Sequence, residues 1–292
     1  MTNTKSIPIR LALKDASLMN EPESATLGQR FLPLAAAING AYRQRFGGSA
    51  GVNSGVNSSS DVSHHHASVH LTHQLAESST AMLGASDPIV LISAIADFLS
   101  VADQLDARYG ADAGLPLVDA DEAADEALRA ATELEPWLDR FELSTYRPVL
   151  SAIMLGVGLW AMRHGLPIST PEPIVNALAA QSNDATSKQE TAAAYAMMQG
   201  FIAHLAPTLE ADLERSNPER PWRLLNLNFA ITAIRTGDAA LMRFAFDKLN
   251  QHLPDERAGF YDEAYAVASQ PGFPLETRAL IESEHAKWTR LH

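Results

Sequence analysis

From Ser86 to the end of the chain, apolar residues recur at helical spacing, and the strict alternation typical of strands is nearly absent. The first such pattern follows Ser86-Asp87, which can cap a helix N-terminus, and Pro88, which is tolerated in a first helical turn. Gly110 ends the pattern, and its apolar side is formed by Leu91, Ile95, Phe98, Ala102, Leu105 and Tyr109. This pattern predicts a helix from Pro88 to Tyr109.

Further helices are predicted along the same segment. Carboxylates at 119–126 suit the start of a helix that runs to about Phe141, which Pro136 is expected to break or kink. Residues 146–163 are apolar on nearly all sides and are expected at the centre of the assembly. Ser187 and Glu190 form a capping box that opens a long helix to about Arg215. The remaining helices are predicted at 221–236, 238–252, 256–269 and 275–291, the first two joined through Gly237.

The order of these helices suggests a stack of antiparallel pairs. The pairs that start near Pro221 and Asp255 are 34 residues apart, a spacing of helix–turn–helix repeats. Trp222, Leu225 and Phe229 have the first-helix spacing of a tetratricopeptide unit, but Asn226 stands where a small residue is expected, so the analogy is one of architecture only. We therefore predict an all-α fold of stacked antiparallel helix pairs, either an irregular helical repeat or a compact helical domain.

The chain before Ser86 differs in composition and predicts a flexible N-terminal arm. Residues 1–46 carry one amphipathic helix, predicted from Thr26 to Phe46, which Pro33 is expected to shorten. Residues 47–63 (GGSAGVNSGVNSSSDVS) contain almost nothing that could be buried and are predicted to be a linker. Residues 64–85 are predicted to form a His-rich helix, and residues 86–292 an all-helical domain.

Length and cysteine content exclude several classes of protein. A chain of 292 residues buries roughly three quarters of its unfolded surface, so it needs no disulfide or metal for stability. The absence of cysteine excludes thiolate zinc fingers, iron–sulfur clusters and a Cys nucleophile. The start lacks the apolar run of a signal peptide, and the most apolar stretch, 148–162, is too short to span a bilayer. We expect a soluble cytoplasmic protein without a membrane partner; specialised secretion stays open.

The negative charge is concentrated in one segment. The formal charge of the whole chain is −13, and residues 87–146 carry 14 acidic residues against 3 basic ones. This segment should give the fold one strongly negative face, for which a basic peptide or protein is the natural partner. No basic run is present, so nucleic-acid binding is not expected. The 17 Arg against 5 Lys, with abundant Ala, suggest a bacterial genome rich in G and C.

The sharpest local feature is the segment HHHASVHLTHQLAE, residues 64–77. On a helix, His66, His70, His73 and Glu77 fall on one narrow stripe, opposite Leu71, Leu75 and Met82. Imidazoles three or four residues apart can chelate Zn²⁺, Ni²⁺ or Cu²⁺. The stripe spans about 16 Å along the helix axis, so a complete site needs ligands from elsewhere. The alternative interpretation is a solvated polar face opposite a docked apolar face.

Two acidic patterns each match only part of a known metal-binding motif. Glu282-x-x-His285 is half of a di-iron signature, which requires two copies, and the chain has no second one. The run from Asp121 to Glu126 is comparable to the Asp-rich Mg²⁺ motif of all-helical isoprenoid synthases, but no second metal motif accompanies it. We interpret the first as an exposed face of the C-terminal helix and the second as a helix start.

Motifs of nucleophilic catalysis and phosphate binding are absent, including Gly-x-Ser-x-Gly and the Gly-Lys-Ser/Thr loop. His164 and His204 are single histidines on apolar helices, and the sequence shows no carboxylate that would orient either ring. We expect capping or core roles for both. They are also the first residues to test if the fold itself assembles a catalytic site.

Three hypotheses follow from these patterns. The leading one is a non-enzymatic protein–protein interaction module, an adaptor or scaffold, with an acidic surface at 87–146. The second is divalent-metal binding through His66, His70, His73 and Glu77. The third is a helical enzyme whose site is assembled by the fold.

Overall fold

The computed structural model describes residues 26–46, 86–110, 120–211, 215–270 and 273–289. Of the described residues, 83% are helical and none lies in a strand. The predicted all-α fold is therefore confirmed. The first 25 residues, the linker at 47–63 and the His-rich segment at 64–85 lie outside the described residues, and the predictions for them stay predictions.

The described helices form two compact units, which divide between Leu166 and Pro167. This division lies inside residues 86–292, which were predicted to form one all-helical domain. The N-terminal unit contains α1 (Leu27–Phe46), α2 (Pro88–Tyr109), α3 (Ala120–Arg140) and α4 (Arg147–Arg163), with a 3₁₀ turn at Ser144–Tyr146. The C-terminal unit contains α5 (Glu172–Asp184), α6 (Lys188–Leu209), α7 (Pro221–Thr236), α8 (Ala239–His252), α9 (Arg257–Ala268) and α10 (Leu275–Thr289).

The four helices of the N-terminal unit pack in a ring. Helix α1 contacts α2 and α4, and α3 contacts the same two helices. Each helix turns an apolar side inward, so the unit has one shared core. Among its most deeply buried side chains are Phe31, Leu34, Ile38, Ile95, Leu99, Leu128, Leu134, Leu150 and Val157. Helix α1, which the sequence places in the arm, thus completes this ring.

Helices α1 and α4 approach each other closely at Gly156. A Cβ atom at this position would lie 2.5 Å from Cδ1 and 2.7 Å from Cδ2 of Leu27. Such distances are shorter than any ordinary carbon–carbon contact. Because Gly156 has no side chain, the Leu27 side chain has space to pack against α4 at the start of α1.

The C-terminal unit is a stack of helices in which consecutive members are neighbours. Helices α5, α6 and α7 pack against one another, α7 and α8 form an antiparallel hairpin, and α10 contacts both α8 and α9. Arg223 joins the starts of α7 and α9, because its Nε lies 2.7 Å from a carboxylate oxygen of Glu256. Buried Arg220 approaches the same carboxylate at 3.8 Å and donates to the carbonyl of Asn217.

The helix starts follow the cap residues that the sequence predicts. Asp87 accepts a hydrogen bond from the Ile89 amide, and Asp238 accepts from two amides of α8. The capping box of Ser187 and Glu190 is present with both reciprocal hydrogen bonds. Gly237 has φ of 68°, the left-handed conformation that glycine adopts without strain, and joins α7 to α8.

Prolines account for the main differences from the predicted helix boundaries. Pro33 and Pro136 lie inside α1 and α3, and both helices continue through them. Both prolines are exposed, so the carbonyl left without a donor can turn toward water. Helix α6 ends at Leu209, soon after Pro207 and short of Arg215. Helix α5 was not predicted; it begins at Glu172 with Pro173 in its first turn, a position where proline is tolerated.

Helix α2 is, by length and composition alone, apolar enough to cross a membrane, and it is the one such helix in the described ranges. Its side chains Leu91, Ile95 and Leu99 are buried in the ring of the N-terminal unit. A core helix of a soluble protein passes the same test of length and hydropathy. The structure is therefore compatible with a soluble protein.

Candidate interaction surface

Helices α2 and α3 run antiparallel, and hydrogen bonds at one end of the pair fix their register. The indole Nε1 of Trp137 donates to the carbonyl of Ser86 at 3.2 Å. The Ser86 hydroxyl in turn donates to the carboxylate of Glu133. The start of α2 is thereby held beside the last turns of α3. The other end of the pair consequently brings the last turns of α2 next to the first turns of α3.

Carboxylates are concentrated at this second end, which we call the acidic end. It comprises Asp103, Asp106, Asp121, Glu122, Asp125 and Glu126, of which Asp103, Glu122 and Glu126 are exposed. The basic residues at this end of α1, α2, α3 and α4 are Arg30, Arg108, Arg129 and Arg163. Six carboxylates against four guanidinium groups give this end a net negative charge.

The acidic residues farther along α3 are compensated within the unit. Arg147 contacts Glu135 at 2.8 Å and Asp139 at 2.5 Å. The hydrogen bond from Arg147 to Asp139 raises the pKa of this guanidinium, which stays charged. The segment 87–146 therefore does not expose its acidity evenly, and the excess negative charge is at the acidic end.

Asp106 is the most highly connected carboxylate of the acidic end. It accepts hydrogen bonds from Nε1 of Trp160 at 3.0 Å, from Arg163 at 3.2 Å and from Nε2 of His164 at 2.8 Å. An ionised carboxylate only accepts hydrogen bonds, so the proton of the His164 ring in this pair lies on Nε2. These bonds tie the last turn of α2 to the last turn of α4.

His164 thus has the carboxylate partner that sequence reasoning missed. Asp106 lies 58 residues earlier, and no local motif connects the two positions. The His164 side chain is fully buried, whereas Asp106 keeps 26% of its side-chain surface exposed. A catalytic dyad requires the opposite arrangement, with the imidazole facing the substrate. This geometry gives the pair a packing role. The other candidate, His204, is half-buried on α6 of the C-terminal unit.

His285 of the Glu282-x-x-His285 pattern also forms a contact between helices. His285 of α10 donates from Nε2 to Asp262 of α9 at 2.9 Å. Its ring stacks flat on Tyr265, with centroids 4.4 Å apart and an interplanar angle of 8°. Glu282 is exposed on α10. His285 therefore contributes to the packing of α9 against α10.

The described ranges contain no group of three or more His, Asp or Glu side chains placed to hold one metal ion. This finding covers the run from Asp121 to Glu126, in which Asp121 and Glu122 occupy the first turn of α3. Carboxylates in a first turn interact favourably with the helix dipole. The stripe of His66, His70, His73 and Glu77 lies outside the described residues, so metal binding there stays a prediction.

Comparison with known proteins identifies no relative of this chain. No family model, no curated protein and no solved structure matches it. The interpretation of its function therefore rests on its own residues and geometry.

Proposed function

We propose that this protein is a non-enzymatic adaptor or scaffold whose acidic end binds a basic segment of another protein. The observation that supports the proposal is the excess of six carboxylates over four arginines at one end of the α2–α3 pair. Farther along α3, Glu135 and Asp139 pair with Arg147. A partner with clustered Lys or Arg would complement this end and leave the compensated region unused.

The architecture suits such a role because it holds the charges in fixed positions. The carboxylates project from two helices whose opposite sides form the core of a four-helix ring. Because the surface that receives the partner is already ordered, only the partner segment loses conformational entropy on binding. Exposed charges act over about one Debye length, roughly 10 Å at 0.1 M salt, so association should be strongly salt-dependent.

The proposal also includes a location. The composition of the chain, with 17 Arg against 5 Lys, favours the cytoplasm of a bacterium. The His-rich segment adds metal binding as a separate hypothesis, which the adaptor function does not require.

The test is affinity capture with the full-length chain from its native lysate at low and high salt, with bound proteins identified by mass spectrometry. The decisive comparison is with a triple variant of the acidic end, Asp103→Asn, Glu122→Gln and Glu126→Gln. We expect a stoichiometric partner that binds the unmodified chain at low salt, dissociates at high salt and does not bind the variant.

A second triple variant controls for total charge. Asp247→Asn, Glu263→Gln and Glu282→Gln remove three exposed carboxylates from the C-terminal unit. This control should retain the partner. The proposal is wrong if the partner still binds after neutralisation of the acidic end, or if its binding does not respond to salt.

A further inference from the structure

An aromatic patch lies at the end of the N-terminal unit where α1 and α3 finish and α2 begins. It consists of Tyr42, Phe46, Trp137 and Phe141. The Phe46 ring lies 5.0 Å from the ring of Tyr42 and 6.4 Å from that of Phe141, and the tilted rings of Trp137 and Phe141 are 5.3 Å apart. Phe46 is 36% exposed and Phe141 is half-buried. The patch therefore presents aromatic surface to the outside of the unit.

Residues 47–85 leave the described fold at this patch and return to it. The segment follows Phe46 directly and precedes Ser86, whose carbonyl accepts the hydrogen bond from Trp137. Tyr42 donates to the Asp87 carboxylate at 3.2 Å, so the next residue of the returning chain is held there as well. A stretch of 39 residues thus begins and ends at the same aromatic surface.

Chain length restricts where the end of this stretch can lie. Met82 stands four residues before Ser86, and an extended chain covers at most about 3.6 Å per residue. Met82 must therefore lie within about 14 Å of Ser86. Met82 shares one side of the predicted His-rich helix with Leu71 and Leu75. A single amphipathic helix in water is marginal unless its apolar side is covered.

Charged residues of both signs surround the patch. Arg43, Arg45 and Arg140 are exposed at this end, and Arg45 donates to the carbonyl of Arg140. Residues 47–85 contain two acidic residues, Asp61 and Glu77, and neither Lys nor Arg. Asp87, Glu133, Asp139 and Glu142 lie at the same end, so the rim is close to neutral, and the apolar side chains of the segment are what favour docking.

We infer that residues 64–85 form a helix that docks on the aromatic patch through Leu71, Leu75 and Met82. Docking in this orientation turns His66, His70, His73 and Glu77 toward solvent. The histidines are then displayed from a fixed surface of the N-terminal unit. This inference is independent of the proposed adaptor function, because the acidic end lies at the other end of the α2–α3 pair.

The test is amide hydrogen exchange of the full-length chain, followed over residues 71–83. We expect these amides to be protected, and their protection to fall at least tenfold in Phe46→Ser and in the double variant Leu75→Ser, Met82→Ser. Two controls match these changes. Leu32→Ser alters a side chain of α1 that is 64% exposed, and Val52→Ser with Val56→Ser alters the linker. Both controls should keep the protection.

Three results would overturn the inference. The first is exchange of residues 71–83 at the rate of an unstructured peptide in the unmodified chain. The second is protection that persists in Phe46→Ser while α2 stays protected, which would place the segment elsewhere. The third is protection that disappears on dilution, which would assign the patch to a second copy of the chain.

Discussion

Nδ1 of His252 lies 2.8 Å from Oδ1 of Asn226, across the α7–α8 hairpin. The amide of Asn226 donates to the carbonyl of Trp222, also at 2.8 Å, so its oxygen is directed toward the histidine. An amide oxygen only accepts, and the proton of the His252 ring must therefore lie on Nδ1. Asn226 is 1% exposed, and the Trp222 ring packs against the imidazole at 4.9 Å. One buried polar network thus joins the two helices.

This network predicts that acid destabilises the C-terminal unit. Burial lowers the pKa of His252, the Lys248 charge lowers it further, and Glu210 opposes the shift. An unfolded histidine titrates near pH 6.5, so below that pH the unfolded chain takes up a proton that the folded protein resists. The stability that neutral His252 contributes is present above the unfolded pKa and is lost as the pH falls. Urea unfolding should show a lower midpoint at pH 5 than at pH 7.5.

The variant His252→Gln isolates this contribution from that of the other titrating groups. Glutamine keeps an N–H donor but has no proton to gain near neutral pH. The difference in unfolding midpoint between pH 7.5 and pH 5 should therefore be smaller in His252→Gln than in the unmodified protein. An identical pH dependence in the two proteins would show that His252 is not responsible.

Replacement of Asn226 by alanine should destabilise the α7–α8 hairpin, although a small residue is what the tetratricopeptide spacing would place there. The variant leaves the His252 N–H without its acceptor and removes a donor from the Trp222 carbonyl. We expect a loss of about 1–3 kcal/mol in the free energy of unfolding, measured in urea. Asn228→Ala, two residues along α7 at a half-buried position, should change it by less than about 0.5 kcal/mol.

Local patterns were sufficient to predict most of the helices. The caps at Asp87, Ser187 and Asp238 and the turn at Gly237 each depend on residues within a few positions of one another, and the structure has all four. Helix α5 was not among the predicted helices. Helix α3 ends at Arg140, close to the predicted Phe141, but it continues through Pro136, where a break or kink was expected, and α6 ends at Leu209 instead of near Arg215.

Contacts between distant residues could not be predicted in the same way. Asp106 and His164 are 58 residues apart, and Asn226 and His252 are 26 apart. Each pair depends on how two helices pack, which no spacing within one helix reveals. The excess negative charge at the acidic end also depends on how the helices pack. Fourteen acidic residues could be counted in the segment, but the pairing of Glu135 and Asp139 with Arg147 depends on the packing of α4 against α3.

Replacement of Gly156 by alanine should weaken the attachment of α1 to α4. The new methyl group would overlap the end of the Leu27 side chain, which must then move out of the space it fills. Overpacking of this kind costs about 1–3 kcal/mol, and we expect it to exceed the gain of about 1 kcal/mol from alanine in a helix. The free energy of unfolding should therefore fall. Gly40→Ala, on the exposed side of α1 with no atom within 4 Å of the new Cβ, should raise it.

A double variant separates this overlap from other effects of alanine. In Leu27→Ala the space opposite Gly156 is already open, so adding Gly156→Ala should no longer destabilise the protein. The coupling free energy between the two positions should then be clearly different from zero. Additive effects in this cycle would contradict the close approach of α1 and α4 at Gly156.

Replacement of Asp106 by asparagine should destabilise the N-terminal unit because one amide oxygen cannot accept from Trp160, Arg163 and His164 together. The amide group would also direct its own donors toward groups that donate. Hydrogen bonds to a charged acceptor contribute about 1.5–3 kcal/mol each, and we expect a loss of this order in the free energy of unfolding, followed by tryptophan fluorescence in urea. Asp103→Asn removes an exposed carboxylate one turn earlier on α2 and should change stability by less than about 0.5 kcal/mol. Equal losses in both variants would mean that negative charge at the acidic end, and not the bonds of Asp106, stabilises the junction of α2 and α4.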